Sequence, residues 1–271
     1  MRPLVMGVLN VTPDSFSDGG SSADPDAAVR RGRELLAEGA DVVDVGGEST
    51  RPGAEPIGIE AELARVVPTI EALAPEVTAA GARLSVDTRH AEVARAAVAA
   101  GASIVNDVSS SLEVVAGETG AGWVAMHMRG EPGSMQDAPH YDDVVAEVLE
   151  HLVAAERRGR EAGIGEIWID PGIGFGKTFG HNWALLGALE AFVATGVPVA
   201  VGTSRKGFLG AVLAEADGTD ERPGPGDRLE GSITTACWAA TMGAAMIRVH
   251  DVRATVAALD AVVAVAGPGP A

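Results

Sequence analysis

The sequence of 271 residues has little cysteine, few basic side chains and no long apolar run. Its single cysteine, Cys237, cannot close an internal disulfide bond, which is typical of proteins from a reducing compartment. Lys and Arg number 20 against 38 Asp and Glu, so the formal net charge is −18 at pH 7. Such a charge repels the phosphates of nucleic acids and anionic lipid surfaces, and we expect neither as a partner.

No apolar run approaches the roughly 18 residues of a membrane-spanning helix. The stretch from Met1 to Leu9 is too short for the apolar core of a signal peptide. The six histidines and one cysteine show no spacing typical of a zinc site. We therefore expect a cytoplasmic protein.

Apolar residues make up 46% of the chain, which is enough to build a core.

Glycine is in excess, at 35 of 271 positions, which indicates many tight connections between regular elements. Eight short apolar runs, each followed by a helical pattern, recur about every 34 residues, the size of a β-strand and α-helix repeat. The runs are Leu4–Leu9, Val42–Val45, Leu84–Val86, Ser103–Val105, Trp123–Met126, Ile167–Ile169, Val197–Val201 and Ala245–Val249. They are apolar throughout, as expected of parallel strands that are covered on both faces.

Two helical patterns between the runs are clear. One apolar stripe extends from Ile59 to Leu73, and Pro68 within it predicts a kink or a split in that helix. A second stripe follows Asp142 and Asp143, whose acidic side chains favour a helix N-terminus. The repeat predicts an α/β protein, a single (β/α)₈ TIM barrel over residues 1–271, with an open doubly wound sheet as the alternative.

A TIM barrel carries its active site at the carboxyl ends of its strands, so the residues after each run are the candidates. Helix capping could explain one such polar residue, but the whole set favours a functional site. The set is Asn10, Gly46 to Arg51, Asp87, Asn106, Asp107, His127, Asp170 to Gly172, Ser204 to Lys206, Arg248 and His250.

The chemistry of this set predicts a ligand with two different parts. Asp87, Asn106 and Asp170 offer acceptors for a donor-rich heterocycle such as an aminopyrimidine. The basic side chains offer charge and donors for phosphate or carboxylate groups. Asn10 adds a neutral oxygen that could help to hold Mg²⁺ beside a diphosphate. The basic residues are Arg51, Arg205, Lys206, Arg248 and His250.

We interpret three other features of the sequence as structural rather than functional. The segment from Pro171 to Thr178 ends like a P-loop, but Pro171 stands where the first glycine should be. His151 lies on an amphipathic helix, where we expect it to be solvated. Cys237 stands among small apolar residues, where we expect it to be packed rather than reactive.

Eight motif blocks support a more specific interpretation, and three of them are long. They are Met6–Gly20, Asp44–Gly53, Ser85–Thr88, Asn106–Asp107, Met126–Met128, Asp170–Lys177, Ser204–Lys206 and Arg248–Asp251. In these blocks, and over nearly the whole chain, the sequence resembles the dihydropteroate synthase family. That resemblance implies a (β/α)₈ barrel and a transferase of folate biosynthesis. The implied reaction condenses 6-hydroxymethyl-7,8-dihydropterin diphosphate with 4-aminobenzoate to give 7,8-dihydropteroate and diphosphate.

The resemblance also implies residue roles. It assigns the pterin ring to Asp87, Asn106, Asp170 and Lys206, and the diphosphate with its Mg²⁺ to Asn10, Arg248 and His250. It assigns loop closure and the aminobenzoate pocket to Phe16, Asp18, Thr50, Arg51, Pro52 and Phe175. Further substrate contacts fall to Met126, Arg205 and Gly207. Among these, Asp87, Asp170, Lys206 and Asp18 are the expected catalytic residues, and a homodimer is the expected assembly.

The implied mechanism breaks the bond to diphosphate first, and the neutral aryl amine then attacks a pterin-methyl cation. Two departures from the family pattern stand out: Gly207 replaces a frequent serine, and a shortened segment over 108–122 predicts a short helix. Two other functions stay open. One is a pterin-dependent methyltransferase that would pass a methyl group to a corrinoid, and the other is a catalytically silent pterin-binding relative.

Overall fold

The computed structural model describes residues 1–12, 25–49, 56–131 and 133–267 of the chain. Eight parallel strands stand in the order β6-β5-β4-β3-β2-β1-β8-β7. Their bounds are β1 (Leu4–Asn10), β2 (Val42–Gly46), β3 (Arg83–Asp87), β4 (Ile104–Asp107), β5 (Gly122–Met126), β6 (Ile167–Asp170), β7 (Ala200–Val201) and β8 (Met246–Val249). Each predicted strand is present, although the seventh is shorter than the apolar run around it.

The sheet closes on itself between its two outer strands. A parallel bridge joins Ile169 in β6 to Val199, just before β7, and the amide of Ile169 donates to the carbonyl of Pro198 at 3.0 Å. All neighbouring strands pair in parallel, so the carboxyl ends of the strands meet at one end of the barrel. The predicted (β/α)₈ barrel is therefore confirmed, and the open doubly wound sheet is excluded.

Helices surround the barrel. In the described part of the chain they are α1 (Pro25–Ala37), α2 (Ile59–Ala79), α3 (Ala91–Ala100), α4 (Glu113–Thr119), α5 (Val144–Glu161), α6 (Phe179–Gly187), α7 (Leu189–Val193), α8 (Gly207–Ala216), α9 (Leu229–Thr241) and α10 (Val252–Ala266). None of the helices within those described ranges is long and apolar enough to cross a membrane.

The helix predictions have mixed outcomes. Helix α2 continues without a break through Pro68, so the predicted split is wrong. Helix α5 begins as predicted behind Asp143, whose carboxylate accepts from the amides of Val145 and Ala146. Helix α4 has only 7 residues, as expected from the shortened segment between β4 and β5.

Two apolar clusters hold these layers together. The larger cluster lies between the outside of the barrel and the helices. The smaller cluster fills the inside of the barrel and takes side chains from seven strands, with Met6, Val42, Ile104, Val124, Trp168, Ala200 and Met246 as its members. Because this inner cluster plugs the barrel, a ligand can enter only the space above it, at one end of the strands.

Helix α4 lies so close to the end of α5 that Gly117 has no room for a side chain. A Cβ at Gly117 would lie 2.2 Å from the carbonyl oxygen of Ala162. We expect Gly117→Ala to lower the free energy of unfolding by about 1–3 kcal/mol, although alanine is the better helix former. Gly187 in α6 has no described atom within 4 Å of its Cβ position and is the matched control.

Urea titration followed by circular dichroism measures both variants. Gly187→Ala should be neutral or slightly stabilising, because only helix propensity changes there. Equal stabilities for the two variants would contradict the close packing of α4 on α5.

Candidate active site

The mouth of the barrel, meaning the carboxyl ends of the strands and the loops that follow them, collects most of the predicted site residues. Successive side chains of a strand alternate between its two faces, so residues two apart share a face. Asp170 stands two residues after Trp168 of the inner cluster, and Arg248 stands two residues after Met246. Asn106 follows the same spacing in β4. These side chains therefore point into the barrel, directly above its apolar plug.

Arg248 lies at the centre of the acidic side of the mouth. Its Nη2 donates to Oδ2 of Asp87 at 2.6 Å and its Nε donates to Oδ2 of Asp44 at 2.7 Å. The side-chain amide of Asn106 donates to the same Asp44 oxygen at 3.0 Å. Burial disfavours the charge of Arg248, but the two carboxylates outweigh burial and raise its pKa. One cation therefore links β8 with β2 and β3, and Asp44 connects it to β4.

Asp44 is a site residue that the sequence analysis did not select. Asp44 does not follow an apolar run, because it lies within β2, where it is fully buried. A charged residue in the middle of a strand of a barrel is the signal that could have found it. An inward-pointing carboxylate there needs a cation, and Arg248 provides one.

The carboxylate of Asp87 keeps one oxygen available for a ligand. Burial raises the pKa of Asp87, and the charge of Arg248 opposes this rise. Its Oδ1 is buried and has no hydrogen-bond partner among the described residues. Buried acceptors normally have a donor, so an N–H group of a ligand would complete this site.

Asp170 and Lys206 form the opposite side of the mouth. Oδ1 of Asp170 accepts from the amide of Gly172 at 2.7 Å, and burial raises the pKa of this carboxyl against the charge of Lys206. Lys206 donates to the carbonyl of Ile173 and lies 4.7 Å from the ring centre of Phe175. Burial lowers the pKa of Lys206 to about 8, while the charge of Asp170 opposes this fall. The mouth thus holds buried carboxylates and half-buried cations.

Three residues predicted to contact the substrates lie at the rim formed by β7, β8 and α8, and they are His250, Arg205 and Gly207. Oγ of Ser204 accepts from the amide of His250 at 3.2 Å and lies 3.1 Å from its Nδ1. Arg205 has a positive φ of 61°, and its guanidinium pairs with Asp251 at 3.0 and 2.5 Å. Gly207 is exposed at the first turn of α8. The charge of Arg205 is therefore engaged within the protein.

The other predicted contacts divide into two groups. Met126 is buried at the end of β5, and Phe175 is half-buried in the loop after β6. Five predicted residues lie outside the described residues, and they are Phe16, Asp18, Thr50, Arg51 and Pro52.

The loop after β6, residues 171–178, is called the β6 loop here, and it is not a P-loop. Its Lys177 does not face outward as a phosphate-binding lysine would: the side chain is 1% exposed. Nζ of Lys177 lies 2.9 Å from Nδ1 of His127 and donates to the carbonyls of His127 and Phe175. No sequence pattern indicates a role for Lys177, because its burial depends on contacts between two loops.

The prediction that His151 is solvated is wrong. Its ring lies against that of His127, with ring centres 4.9 Å apart, and its Nε2 is buried without a hydrogen-bond partner among the described residues. Burial, followed by the charges of Arg158 and Lys177, lowers the pKa of His151. The helical pattern placed His151 on α5 but did not show that this face meets the end of β5.

The residues at the mouth suit a Mg²⁺ that is bound mainly through a substrate. Asn10 ends β1 and offers one neutral amide oxygen. Within the described ranges, no group of three or more His, Cys, Asp or Glu side chains could hold a metal by itself. Mg²⁺ usually keeps several waters and takes its remaining ligands from phosphates, so a site with few protein ligands fits it.

Comparison with known proteins gives the same family at the level of sequence and of structure. Residues 6–250 match the family described as pterin binding enzyme. A dihydropteroate synthase of Mycobacterium leprae is 50% identical over 274 residues, covering 98% of this chain and 94% of that protein. The dihydropteroate synthase of Escherichia coli strain K12 is 45% identical, covering 96% of this chain and 91% of its own length.

A solved structure of the same kind is also similar. Dihydropteroate synthase of Xanthomonas albilineans with 4-aminobenzoic acid superposes with a TM-score of 0.89 at 46% identity, covering 98% of this chain and 94% of that chain. Matches of this extent reach from β1 to β8 and include every strand end described above. The chain belongs to the dihydropteroate synthase family of pterin-binding enzymes.

Proposed function

We propose that the mouth of the barrel binds (7,8-dihydropterin-6-yl)methyl diphosphate and 4-aminobenzoate and joins them. The enzyme is a transferase of folate biosynthesis: a C–N bond forms to give 7,8-dihydropteroate, and diphosphate leaves with the electron pair of the broken C–O bond. The observation that carries the assignment of roles is the pairing of buried carboxylates with half-buried cations at one mouth. A ligand with a donor-rich ring and an anionic tail needs both kinds of group.

The acidic side of the mouth is the proposed pterin site. The exocyclic amino group and ring N–H groups of a pterin are donors, and Asp87, Asp170 and Asn106 supply acceptors. Lys206 and the amide of Asn106 can donate to the ring carbonyl and ring nitrogens. The buried Oδ1 of Asp87, which has no hydrogen-bond partner in the part of the chain that the structure describes, supports this orientation. Met126, buried at the end of β5, would provide an apolar contact to the ring.

The rim near β1 and β8 is the proposed diphosphate site. Arg248 lies in β8 and His250 directly follows the end of that strand. Asn10 ends the adjacent strand β1. Asn10 would contribute the protein's oxygen ligand to Mg²⁺. Bound there, Mg²⁺ would neutralise charge on the diphosphate and make it a better leaving group.

The proposed reaction needs no protein nucleophile. Carboxylates of Asp87 and Asp170 lie around the ring and stabilise the positive charge that develops as the C–O bond breaks. The neutral amine of 4-aminobenzoate attacks the methylene carbon and then loses a proton. Positioning the two substrates and excluding water are therefore the main tasks of the protein.

The aminobenzoate pocket is proposed on the side of Phe175 and Lys206. The ring of Phe175, 4.7 Å from Nζ of Lys206, offers an apolar face beside a cation. The exposed N-terminus of α8 at Gly207 offers a backbone N–H to a carboxylate, so a serine hydroxyl is not essential there. Asp18, Phe16, Thr50, Arg51 and Pro52 complete this pocket in the proposal, and Arg205, held by Asp251, shapes its rim.

We also propose a homodimer of single pterin-binding domains that works in the cytoplasm. Large apolar side chains are exposed on three neighbouring helices: Trp183 on α6 is 39% exposed, Val212 on α8 45% and Trp238 on α9 44%. Exposed apolar side chains gathered on adjacent helices suit an interface between copies of a protein.

An assay with purified protein tests the proposed function. Incubation with the pterin diphosphate, 4-aminobenzoate and Mg²⁺ should give dihydropteroate and one equivalent of diphosphate. Binding of the pterin diphosphate without product would instead favour a silent pterin-binding protein. Methyl transfer to a corrinoid without dihydropteroate would favour the methyltransferase.

For Asp170→Asn we expect kcat to fall on the order of 10²-fold, because the neutral amide no longer stabilises the developing cation. Steady-state kinetics measures the change. Asp142→Asn, at a carboxylate that is 99% exposed, is the matched control and should leave kcat unchanged. Equal kcat values in Asp170→Asn and the parent would remove this carboxylate from the mechanism.

For Arg248→Met we expect weaker binding of diphosphate, by about 1.5–3 kcal/mol, because a charged hydrogen bond is lost. Calorimetry with diphosphate and Mg²⁺ measures this change in affinity. Since the change also leaves Asp44 and Asp87 without their cation, the double variant Arg248→Met/Asp44→Asn tests binding with one of the two unpaired carboxylates removed. Arg33→Met, which removes an exposed ion pair with Glu76, is the control. Unaltered affinity in both Arg248 variants would place the anion site elsewhere.

For Val212→Glu we expect dissociation of the dimer, because a charge on α8 would be buried in the interface. Light scattering coupled to size-exclusion chromatography measures the mass. Val153→Glu on α5, where Val153 is 46% exposed, is the matched control and should stay dimeric. A dimer that persists in Val212→Glu would exclude this face.

A further inference from the structure

Lys177 and Lys206 are the only two lysines in the 271 residues. Both bind carbonyls of the β6 loop: Lys206 donates to Ile173, and Lys177 donates to Phe175 at 3.0 Å. Lys206 already has a place in the proposed function. Lys177 has none, and its side chain is 1% exposed.

The ammonium of Lys177 is fully hydrogen-bonded inside the protein. A lysine ammonium has three N–H donors, and three acceptors surround this one. They are Nδ1 of His127 at 2.9 Å, the carbonyl of His127 at 3.2 Å and the carbonyl of Phe175 at 3.0 Å. Its Nζ therefore ties the end of β5 to the β6 loop and has no donor left for a substrate.

Burial of the Lys177 ammonium costs desolvation free energy, and this cost argues against an incidental role. Among the described residues no carboxylate lies within ion-pair distance of Lys177, and the more distant charge of Asp170 only partly opposes the effect of burial. Burial lowers the pKa of Lys177 to about 7. Burial and the charge of Lys177 lower the pKa of His127 to about 2, so this imidazole is neutral and Nδ1 can accept. An apolar side chain of the same length would avoid this desolvation cost, but it could not donate to the carbonyls of both His127 and Phe175.

Four consecutive carbonyls of the β6 loop are each held by a side-chain donor. The donors are Lys206 to Ile173, Gln136 to Gly174 at 2.7 Å, Lys177 to Phe175 at 3.0 Å and the hydroxyl of Tyr141 to Gly176 at 2.9 Å. The arrangement fixes each peptide plane of the segment that carries Phe175.

The β6 loop also touches the segment after β5 directly through its backbone. A Cβ at Gly172 would lie 1.8 Å from the carbonyl oxygen of His127, and one at Gly176 would lie 2.1 Å from that of Arg129. Both glycines have positive φ, 66° and 62°. The two segments thus form one unit, and Lys177 lies at its centre.

We propose that Lys177 is a positioning residue for the aminobenzoate side of the reaction. By holding the carbonyl of Phe175 against the end of β5, it fixes the ring of Phe175 and, through the carbonyl of Ile173, the ammonium of Lys206. This inference rests on the proposed function, in which Phe175 and Lys206 contact the substrates. Lys177 acts through these residues and does not touch the substrates itself.

The first test compares Lys177→Met with Tyr141→Phe. Methionine has a similar length but no donors, so the peptide of Phe175 is released; Tyr141→Phe releases the adjacent carbonyl only. We expect KM for 4-aminobenzoate to rise about tenfold or more in Lys177→Met, since hydrogen bonds to charged groups are worth at least that factor. In Tyr141→Phe the rise in KM should be smaller, because only one neutral hydrogen bond to the carbonyl of Gly176 is lost.

A chemical rescue separates the ammonium from the bulk of the side chain and does not depend on the folding of Lys177→Met. In a Cys237→Ala background, Lys177→Cys is alkylated in urea with 2-bromoethylamine or with 1-bromopropane and then refolded. The aminoethyl product restores the ammonium at the same distance from Cα, while the propyl product has the same length without it. We expect KM to return to within about threefold of the parent with the first product only. The Cys237→Ala parent, taken through the same cycle, is the control.

A spectroscopic measurement tests the hydrogen bonds in the unmodified protein. Protein made with [ζ-¹⁵N]lysine contains two labelled ammonium groups, and Lys206→Met assigns them. At pH 6, below the pKa of about 7 for Lys177, its Nζ–H signal should persist, because a buried and bonded ammonium exchanges slowly with water. In Lys177→Met the Lys206 signal should shift or broaden, since its carbonyl partner moves.

The results distinguish this inference from the proposed function. Parental KM in Lys177→Met, equal KM in the aminoethyl and propyl products, or a missing Lys177 signal would each overturn the inference while dihydropteroate synthesis stands. Absence of dihydropteroate with the parent protein would overturn the proposed function itself. Loss of stability alone, with parental KM, would reduce Lys177 to a structural residue.

Discussion

The acidic side of the mouth depends on one guanidinium. Asp44 and Asp87 point into the same small volume above an apolar plug, where two carboxylates without a cation would repel each other and lose solvation. Arg248 contacts both, and it comes from β8, two strands away from β2 across β1. Asn106 is oriented by the same Asp44 oxygen. The geometry of the ring site is thus fixed by an ion pair that spans four strands.

The fold could be predicted because its signals are local and repeated. Each strand is a short apolar run, and the spacing of the runs sets the βα unit, so eight repeats imply closure. Errors arose where tertiary packing overrides a local rule. Pro68 does not end α2, because a helix held by its buried side chains tolerates the lost hydrogen bond. Only two residues of the apolar run at 197–201 pair as β7, since barrel closure there uses a single bridge.

Most of the site could be predicted because its side chains stand at or just after the end of an apolar run. Asp87, Asn106 and Asp170 were found in this way, because strand direction alone brings them to the mouth. Asp44 was missed since it lies inside a strand, and only the two-residue alternation shows that it points inward. Lys177 was missed because its burial is set by backbone contact between two loops, which no local pattern encodes.

The fully bonded β6 loop has a consequence for inhibitor chemistry. A compound that sought affinity by donating hydrogen bonds to this loop would find each carbonyl from Ile173 to Gly176 already occupied by a protein donor. Any gain would be offset by the bond displaced. The loop offers an aromatic face at Phe175 and little else, whereas the carboxylates on the other side still accept. Selective chemistry at this mouth should therefore place its donors toward Asp87 and only flat, apolar groups toward the β6 loop.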